Sequence, residues 1–157
     1  MPISEDFREQ LYDGGSNPIL ELLRVNVDGV YFYYANNTQN ITSTVDGNTS
    51  TYLRSSFKLN LPDDKLEGTP SATLDFNAGD KSIVEYLRGS ESRLQMDMWM
   101  VLASDPNFIE YGPSKFESVS YSISGTSITI GLTAEPQLDV TIPKHRYTPA
   151  TFPFLWK

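Results

Sequence analysis

Between Val119 and Leu132 the chain alternates apolar and hydroxyl side chains: Val119, Tyr121 and Ile123, then Ile128, Ile130 and Leu132, with Ser or Thr between them. Alternation with period two puts one set on each face of an extended strand. Gly125-Thr126 falls midway, and a Gly in the first position of a two-residue loop suits a type II′ turn. Folded there, Ile123 meets Ile128, Tyr121 meets Ile130 and Val119 meets Leu132. All six apolar side chains share one face, and a slip of one residue would set apolar against polar throughout. The segment is therefore predicted to be an antiparallel hairpin, and its apolar face needs further β-structure to cover it.

The rest of the chain supplies that structure. Strands are predicted at Ile19–Asn26, Val30–Ala35, Ile41–Val45, Thr51–Leu53, Phe57–Leu61, Ala72–Phe76, Leu94–Ala103 and Leu138–Ile142. Asp28-Gly29 and Asp46-Gly47 offer residues that tolerate the positive φ of tight hairpin turns. Helix is confined to two short pieces. Ser4–Tyr12 has Ser4 as cap, Glu5 and Asp6 at the positive end of the dipole, and Phe7 and Leu11 on one face. Asp80–Arg88 has Asp80 as cap and an Ile83/Val84/Leu87 stripe ended by Gly89. The fold class is mainly β, an antiparallel barrel or sandwich with one or two short helices. An N-terminal helical arm occupies 1–15, a β-rich domain 16–143, and a Pro- and aromatic-rich arm 144–157.

Composition narrows the function classes. A length of 157 residues favours one domain. With no Cys, disulfides, thiolate metal sites and Cys nucleophiles are excluded. A net charge of −8 opposes broad contact with nucleic acid or an anionic membrane. The longest apolar runs, Val30–Ala35 and Met98–Ala103, are six residues each, too short to cross a bilayer as helices. No basic-then-apolar leader opens the sequence.

Candidate chemistry is sparse. His145 is the single His, so a multi-histidine metal site is excluded, and it lies between Lys144 and Arg146 with no Gly-x-Ser-x-Gly elbow elsewhere. Asp63, Asp64 and Glu67 occupy a polar loop, where acids ordinarily face water. Asp97 stands out within an apolar strand, but one acid is no glycosidase dyad. Asp75–Asp80 echoes a calcium loop yet has Gly at the fifth position and Tyr86 at the twelfth. Sequons begin at Asn36, Asn40 and Asn48, and without a secretory signal they carry little weight. No catalytic, metal or cofactor-binding residue is assigned, and the chain is not expected to be an enzyme.

Two strands carry more apolar surface than one buried face requires. In Tyr31-Phe32-Tyr33-Tyr34 the odd and even positions take opposite faces, suiting either a strand covered on both sides or a sugar-stacking platform. Met96, Met98 and Met100 form a core-facing row, while Trp99 and Val101 on the other face are too apolar for water alone and point to burial against a neighbour or the C-terminal arm.

Several segments together resemble a family of bacteriophage tail proteins known as a domain of unknown function. They are Phe57-Lys58-Leu59-Asn60-Leu61-Pro62, Pro70-Ser71-Ala72-Thr73-Leu74, Ser82-Ile83-Val84-Glu85-Tyr86-Leu87-Arg88, Leu102-Ala103-Ser104-Asp105-Pro106 and Arg146-Tyr147-Thr148-Pro149-Ala150-Thr151-Phe152-Pro153. The resemblance covers nearly the whole chain. More distantly, the order of elements is similar to the N-terminal hub part of the lambda-type minor tail protein L. That likeness implies a β-rich hub domain in a trimeric ring at the tail tip, between the distal tail protein and the central receptor-binding hub. It further implies a virion protein assembled in the host bacterial cytoplasm, with no sequence-specific nucleic acid and no membrane insertion. The lambda-type relative continues into a cysteine-bearing segment implied to hold an iron–sulfur cluster. This sequence has no Cys, so no cluster carries over.

As an assembly subunit, the chain would make its contacts through Phe7 and Leu11 of the N-terminal arm, Trp99 and Val101, and Tyr147, Phe152, Phe154, Leu155 and Trp156 of the C-terminal arm. Large aromatics commonly dominate interface energetics. The alternative is a carbohydrate-binding β-sandwich using Tyr31–Tyr34 and Trp99.

Overall fold

The computed structural model describes residues 3–14, 16–60, 72–77, 81–90 and 92–134. Helix α1 (Glu5–Asp13) leads into β1 (Ile19–Val27), β2 (Val30–Asn36), β3 (Ile41–Val45), β4 (Asn48–Asn60) and β5 (Ala72–Asn77). Helix α2 (Lys81–Gly89) then precedes β6 (Gln95–Leu102), β7 (Asp105–Ser124) and β8 (Ser127–Ala134). The eight strands form one sheet in the order β2-β1-β6-β7-β8-β5-β4-β3. A parallel pairing of β2 with β4, Tyr34 opposite Leu53 and Asn36 opposite Ser55, closes seven of them into a ring. Among the described residues every other pairing is antiparallel. Closure removes two exposed edges that would otherwise invite aggregation.

Local chemistry sets the corners. Asp28 and Gly29 both hold positive φ (51° and 86°), as do Asp46 and Gly47 (53° and 75°). That pair of angles defines the type I′ turn, whose twist matches antiparallel strands. Gly125 alone is positive in the β7–β8 turn (φ 65°), in keeping with the expected II′ geometry. Ser4 caps α1 through its side chain, and Gly14 ends it in the left-handed conformation.

The ring encloses the main core. Leu23, Val25 and Val27 of β1, Tyr34 of β2, Met96 and Met98 of β6, and Ile128, Ile130 and Leu132 of β8 all point inward. Helix α2 adds Ile83, Val84 and Leu87 to this core. The Tyr121 hydroxyl is shared between the carbonyls of Leu87 and Ser90 (2.9 and 2.7 Å), tying the end of the helix to β7.

A second core lies on the outer face, where Leu20 and Leu22, Ala35, Trp99 and Val101 are covered by Val45 and Tyr52 of the β3–β4 hairpin. The hairpin is held in place by the Ser43 hydroxyl donating to the Pro106 carbonyl (2.6 Å) and the Thr44 N–H donating to Asn107 Oδ1 (2.9 Å). Strands β1, β2 and β6 are therefore covered on both sides, with Phe32 and Tyr34 against the main core and Tyr33 and Ala35 against the outer one.

Three sequence expectations change. The two short strands expected at Thr51–Leu53 and Phe57–Leu61 are parts of one, β4, which pairs with β3, β2 and β5 in succession. Strand β7 begins at Asp105, well before the hairpin, because its first half pairs with β6 through repeated register shifts. Finally, Leu132 lies opposite Ser118, and Val119 bulges out, 70% exposed. Ser118 takes the inward position because it completes the backbone of Leu94. It accepts the Leu94 N–H on Oγ (2.8 Å) and donates its own N–H to the Leu94 carbonyl (2.9 Å). A fully buried residue cannot leave those groups unpaired. The strand expected at Leu138–Ile142, the cap Asp80, the loop acids Asp63, Asp64 and Glu67, His145 and the whole C-terminal arm lie outside the described residues.

Candidate interaction surface

A charged cluster on the barrel wall is built from adjacent strands. Register places Arg24 of β1 opposite Asp97 of β6. The guanidinium donates from Nε and from one terminal nitrogen to Asp97 Oδ2 at 3.0 and 2.7 Å. Asp46, from the β3–β4 turn, lies 3.8 Å away. The same guanidinium sits over the rings of Trp99 and Tyr31, at 4.9 and 5.5 Å from their centroids. Partial burial pulls the Arg24 pKa down, but the hydrogen bond and charge of Asp97, and then Asp46, outweigh it and leave the pKa raised. Arg24 is a charged lid over the outer core, and Asp97 is its partner. Beneath the lid, burial pushes the Tyr52 phenol up to about 12.

Trp99 is 0% exposed and so is Val101. Both are covered by their own β3–β4 hairpin, so neither offers the contact surface to a neighbour that the strand pattern suggested. Enclosed in this way, Trp99 is not available to stack on a sugar, whereas Tyr31 of the same candidate platform is 50% exposed. Gly112 explains how the indole fits: a Cβ there would lie 2.7 Å from the Met98 carbonyl oxygen and 3.0 Å from the Trp99 ring.

Phe7 is likewise buried, at 2% exposure, because α1 packs on its own barrel. The clamp is Glu110 of β7, 4% exposed, which accepts from the Ser4 N–H (2.9 Å) and the Ser4 hydroxyl (2.5 Å). Its carboxylate thus meets the positive end of the helix, where anionic groups are favoured. At the other end Gln10 accepts from the Asn17 N–H (3.2 Å), and the Asn17 side chain bonds Ser104 both ways (2.7 and 3.1 Å). The start of α1 is thus fastened to β7, and the chain just after the helix to Ser104. Leu11 is exposed (55%), as are Tyr12 at the end of α1 and, on β7, Phe108 and Tyr111. Glu5, Asp6 and Glu9 of α1 are exposed as well. Tyr147, Phe152, Phe154, Leu155 and Trp156 lie outside the described residues.

Other singled-out residues serve local structure. Asp75 accepts from Thr129 (2.7 Å) and Asn60 (3.3 Å) across the sheet. Of the sequon asparagines, Asn36 donates to Glu21 (3.0 Å) and Asn40 accepts from the Arg54 N–H (2.9 Å). Among the described residues no three His, Cys, Asp or Glu side chains gather as metal ligands, and no helix is long and apolar enough to cross a membrane. Glu110 gave no signal in the sequence, since its segment alternates poorly. Arg24 did give one, interrupting an apolar strand just as Asp97 does.

No family model matches the chain, and no curated protein sequence does. Its fold is similar to that of a chain from the virion of the native gene transfer agent particle, with a TM-score of 0.53 and 14% identity over 93% of this chain and 50% of that one. The chain thus spans half the length of the solved chain it matches, and at that identity the likeness is one of fold.

Proposed function

We propose that this chain is a structural subunit of a bacteriophage-type tail tip. It forms a homotrimeric ring in the hub or baseplate region, between the distal tail protein and the central receptor-binding hub. Its role is association, without catalysis or a cofactor, and its location is the virion, assembled in the host bacterial cytoplasm. The observation that carries this reading is the likeness of fold to a gene transfer agent virion chain over 93% of the residues. The distribution of apolar surface supports it. Both cores are filled by the chain's own strands and α2, leaving exposed Leu11 and Tyr12 of α1 for contacts, to which the C-terminal arm would add its own. The net charge of −8 fits a subunit beside a DNA conduit, which would repel a passing genome rather than grip it.

Mass spectrometry of purified particles is the test: the chain should be present at a low, fixed copy number, and particles lacking it would end the proposal. Deleting Thr148–Lys157 should leave the barrel folded by circular dichroism while blocking tail assembly. Infectious particles from the deletion would remove the arm from the mechanism.

A further inference from the structure

We propose that the outer wall of the barrel beside the β1–β2 turn binds a neutral oligosaccharide, stacked on Tyr31 and hydrogen-bonded at Gln95. The first support is register, which makes one surface of the residues concerned. Tyr31 of β2 lies opposite Asn26 of β1, Asn26 opposite Gln95 of β6, and Gln95 opposite Glu117 of β7. Two residues along on the same face, a second row aligns Tyr33, Arg24, Asp97 and Lys115 across the same four strands. The turn of the β3–β4 hairpin reaches that second row, where Asp46 meets Arg24 (3.8 Å). In the first row Tyr31 is 50% exposed, and Gln95 is exposed too.

The second support is the chemistry of the first row. The Arg24 guanidinium lies 5.5 Å from the Tyr31 ring centroid and steadies a ring that is half open to solvent. An aromatic surface of this kind packs against the apolar C–H face of a pyranose, whose hydroxyls then need donors and acceptors around the rim. Asn26 sets their polarity. Its Oδ1 accepts from the Gly29 N–H (2.9 Å), and its Nδ2 donates to Gln95 Oε1 (3.3 Å). With its oxygen engaged, Gln95 presents its amide nitrogen as a donor. Beside it stands the acceptor Glu117, with Arg93 at 3.5 Å. A donor next to an acceptor is what two neighbouring hydroxyls can bridge, each being both. Tyr31 and Gln95 are two strands apart, about 10 Å, which is wider than one pyranose ring and calls for an oligosaccharide.

The third support is charge. Arg24 and Lys115 balance Asp97 and Glu117 within the two rows, and Arg93 balances Asp46 at their border. The strip is thus neutral on a chain of net charge −8. Arg24 and Arg93 are moreover already paired with Asp97 and Glu117. Such a surface attracts neither a polyanion nor a polycation, which leaves stacking and hydrogen bonding to select the ligand.

The test is a nitrogen-15 NMR titration of the full-length protein with maltohexaose, cellohexaose and the hexamer of N-acetylglucosamine, each taken to millimolar concentration. The side-chain amide signals of Gln95 and Asn26 should shift with at least one of the three. Tyr31→Ala should weaken that binding at least about tenfold. Gln95→Glu keeps an oxygen for Asn26 but replaces the outward donor, and should weaken binding severalfold. Tyr111→Ala, at a tyrosine 53% exposed on β7 outside the two rows, is the control and should leave the affinity unchanged. Urea unfolding of the three variants separates loss of binding from loss of fold. Added salt should change the affinity little, since the ligand is neutral. No shift with any of the three sugars overturns the proposal, and so does binding that survives Tyr31→Ala. Tighter binding of dextran sulfate than of the neutral sugars also overturns it, by assigning the wall to a polyanion. The titration uses the isolated chain, so its result is separate from whether the chain is found in particles.

Discussion

The two cores are built on different principles. The inner one draws aliphatic residues from β1, β5, β6, β8 and α2, so many side chains share the burial and each can adjust to its neighbours. The outer one is small, centres on one large ring, and rests on a few close fits: Trp99 seated against Gly112, Tyr52 in the same cluster, and the Arg24 guanidinium over the indole. A distributed core tolerates change by repacking, whereas a core hung on one large ring fails where that ring fails.

The largest effect should come from the ring itself. Trp99→Ala should cost about 3–5 kcal/mol in urea unfolding, as much as Phe76→Ala in the inner core. The two should differ in kind. Losing Phe76 should loosen the whole ring, while losing Trp99 should first release the β3–β4 hairpin. Hydrogen exchange at Ile41–Val45 separates the cases, and uniform loss of protection in both variants would merge the two cores into one cooperative unit.

Next comes the fit beneath the ring. Gly112 has φ 117°, and an added Cβ would meet backbone at 2.7 Å, which cannot yield cheaply. Gly112→Ala should cost roughly 2–3 kcal/mol. Gly131→Ala is the contrast: its nearest obstacle is the Ser120 Oγ at 3.0 Å, the movable end of a side chain, and Gly131 has no positive φ. That change should cost under about 1 kcal/mol. Equal losses would mean that the outer core does not depend on the close approach of β7.

The same contrast decides how much was legible in the sequence. The inner core was, because period-two alternation is a local signal: Ile123, Ile128, Ile130, Met96 and Met98 could be assigned to one face from spacing alone, although Met100, expected in the same row, is only partly buried and belongs to neither core. The outer core was half legible. Trp99 and Val101 stood out as too apolar for water, but what covers them comes from residues 41–52, and no local rule brings that hairpin back across β6. The first half of β7 was not legible, since Pro106, Gly112 and Pro113 read as breakers, and bulges are what accommodate them. Glu110 was hidden by the same irregularity. Ser4 was readable as a cap, yet its second role, anchoring α1 to β7, depends on a residue 106 positions away.

Alkaline pH offers a milder probe of the outer core. The Tyr52 phenol is held protonated by burial up to about 12, against an ordinary value near 10. The unfolded chain therefore loses this proton first. The contribution is complete below about pH 10 and is lost between about pH 10 and 12, amounting to roughly 1–3 kcal/mol. Tyr52→Phe should flatten the fall in stability over that window while changing little at neutral pH. An unchanged alkaline slope would show that Tyr52 titrates as an exposed tyrosine, and that the lid over the outer core opens readily.

The smallest effect should be found at α1, which contributes to neither core although its Phe7 is buried. Ser4→Ala removes the oxygen that accepts from the Phe7 N–H (3.2 Å) and one of the two donors to Glu110. Loss of an N-cap oxygen costs about 1 kcal/mol. Glu110 keeps the Ser4 N–H, so its buried carboxylate is not left without a donor. The loss should therefore appear as local opening, with severalfold faster exchange of the α1 amides and little change in the unfolding midpoint. Such a helix would be a peripheral element fastened at two points, free to yield its face to a partner without disturbing the barrel. If Ser4→Ala instead lowered the midpoint as far as Gly112→Ala does, α1 would have to be counted with the outer core, because both lean on the bulged half of β7. The distinction would then lie between the regular and irregular halves of that one strand, rather than between the inside and outside of the ring.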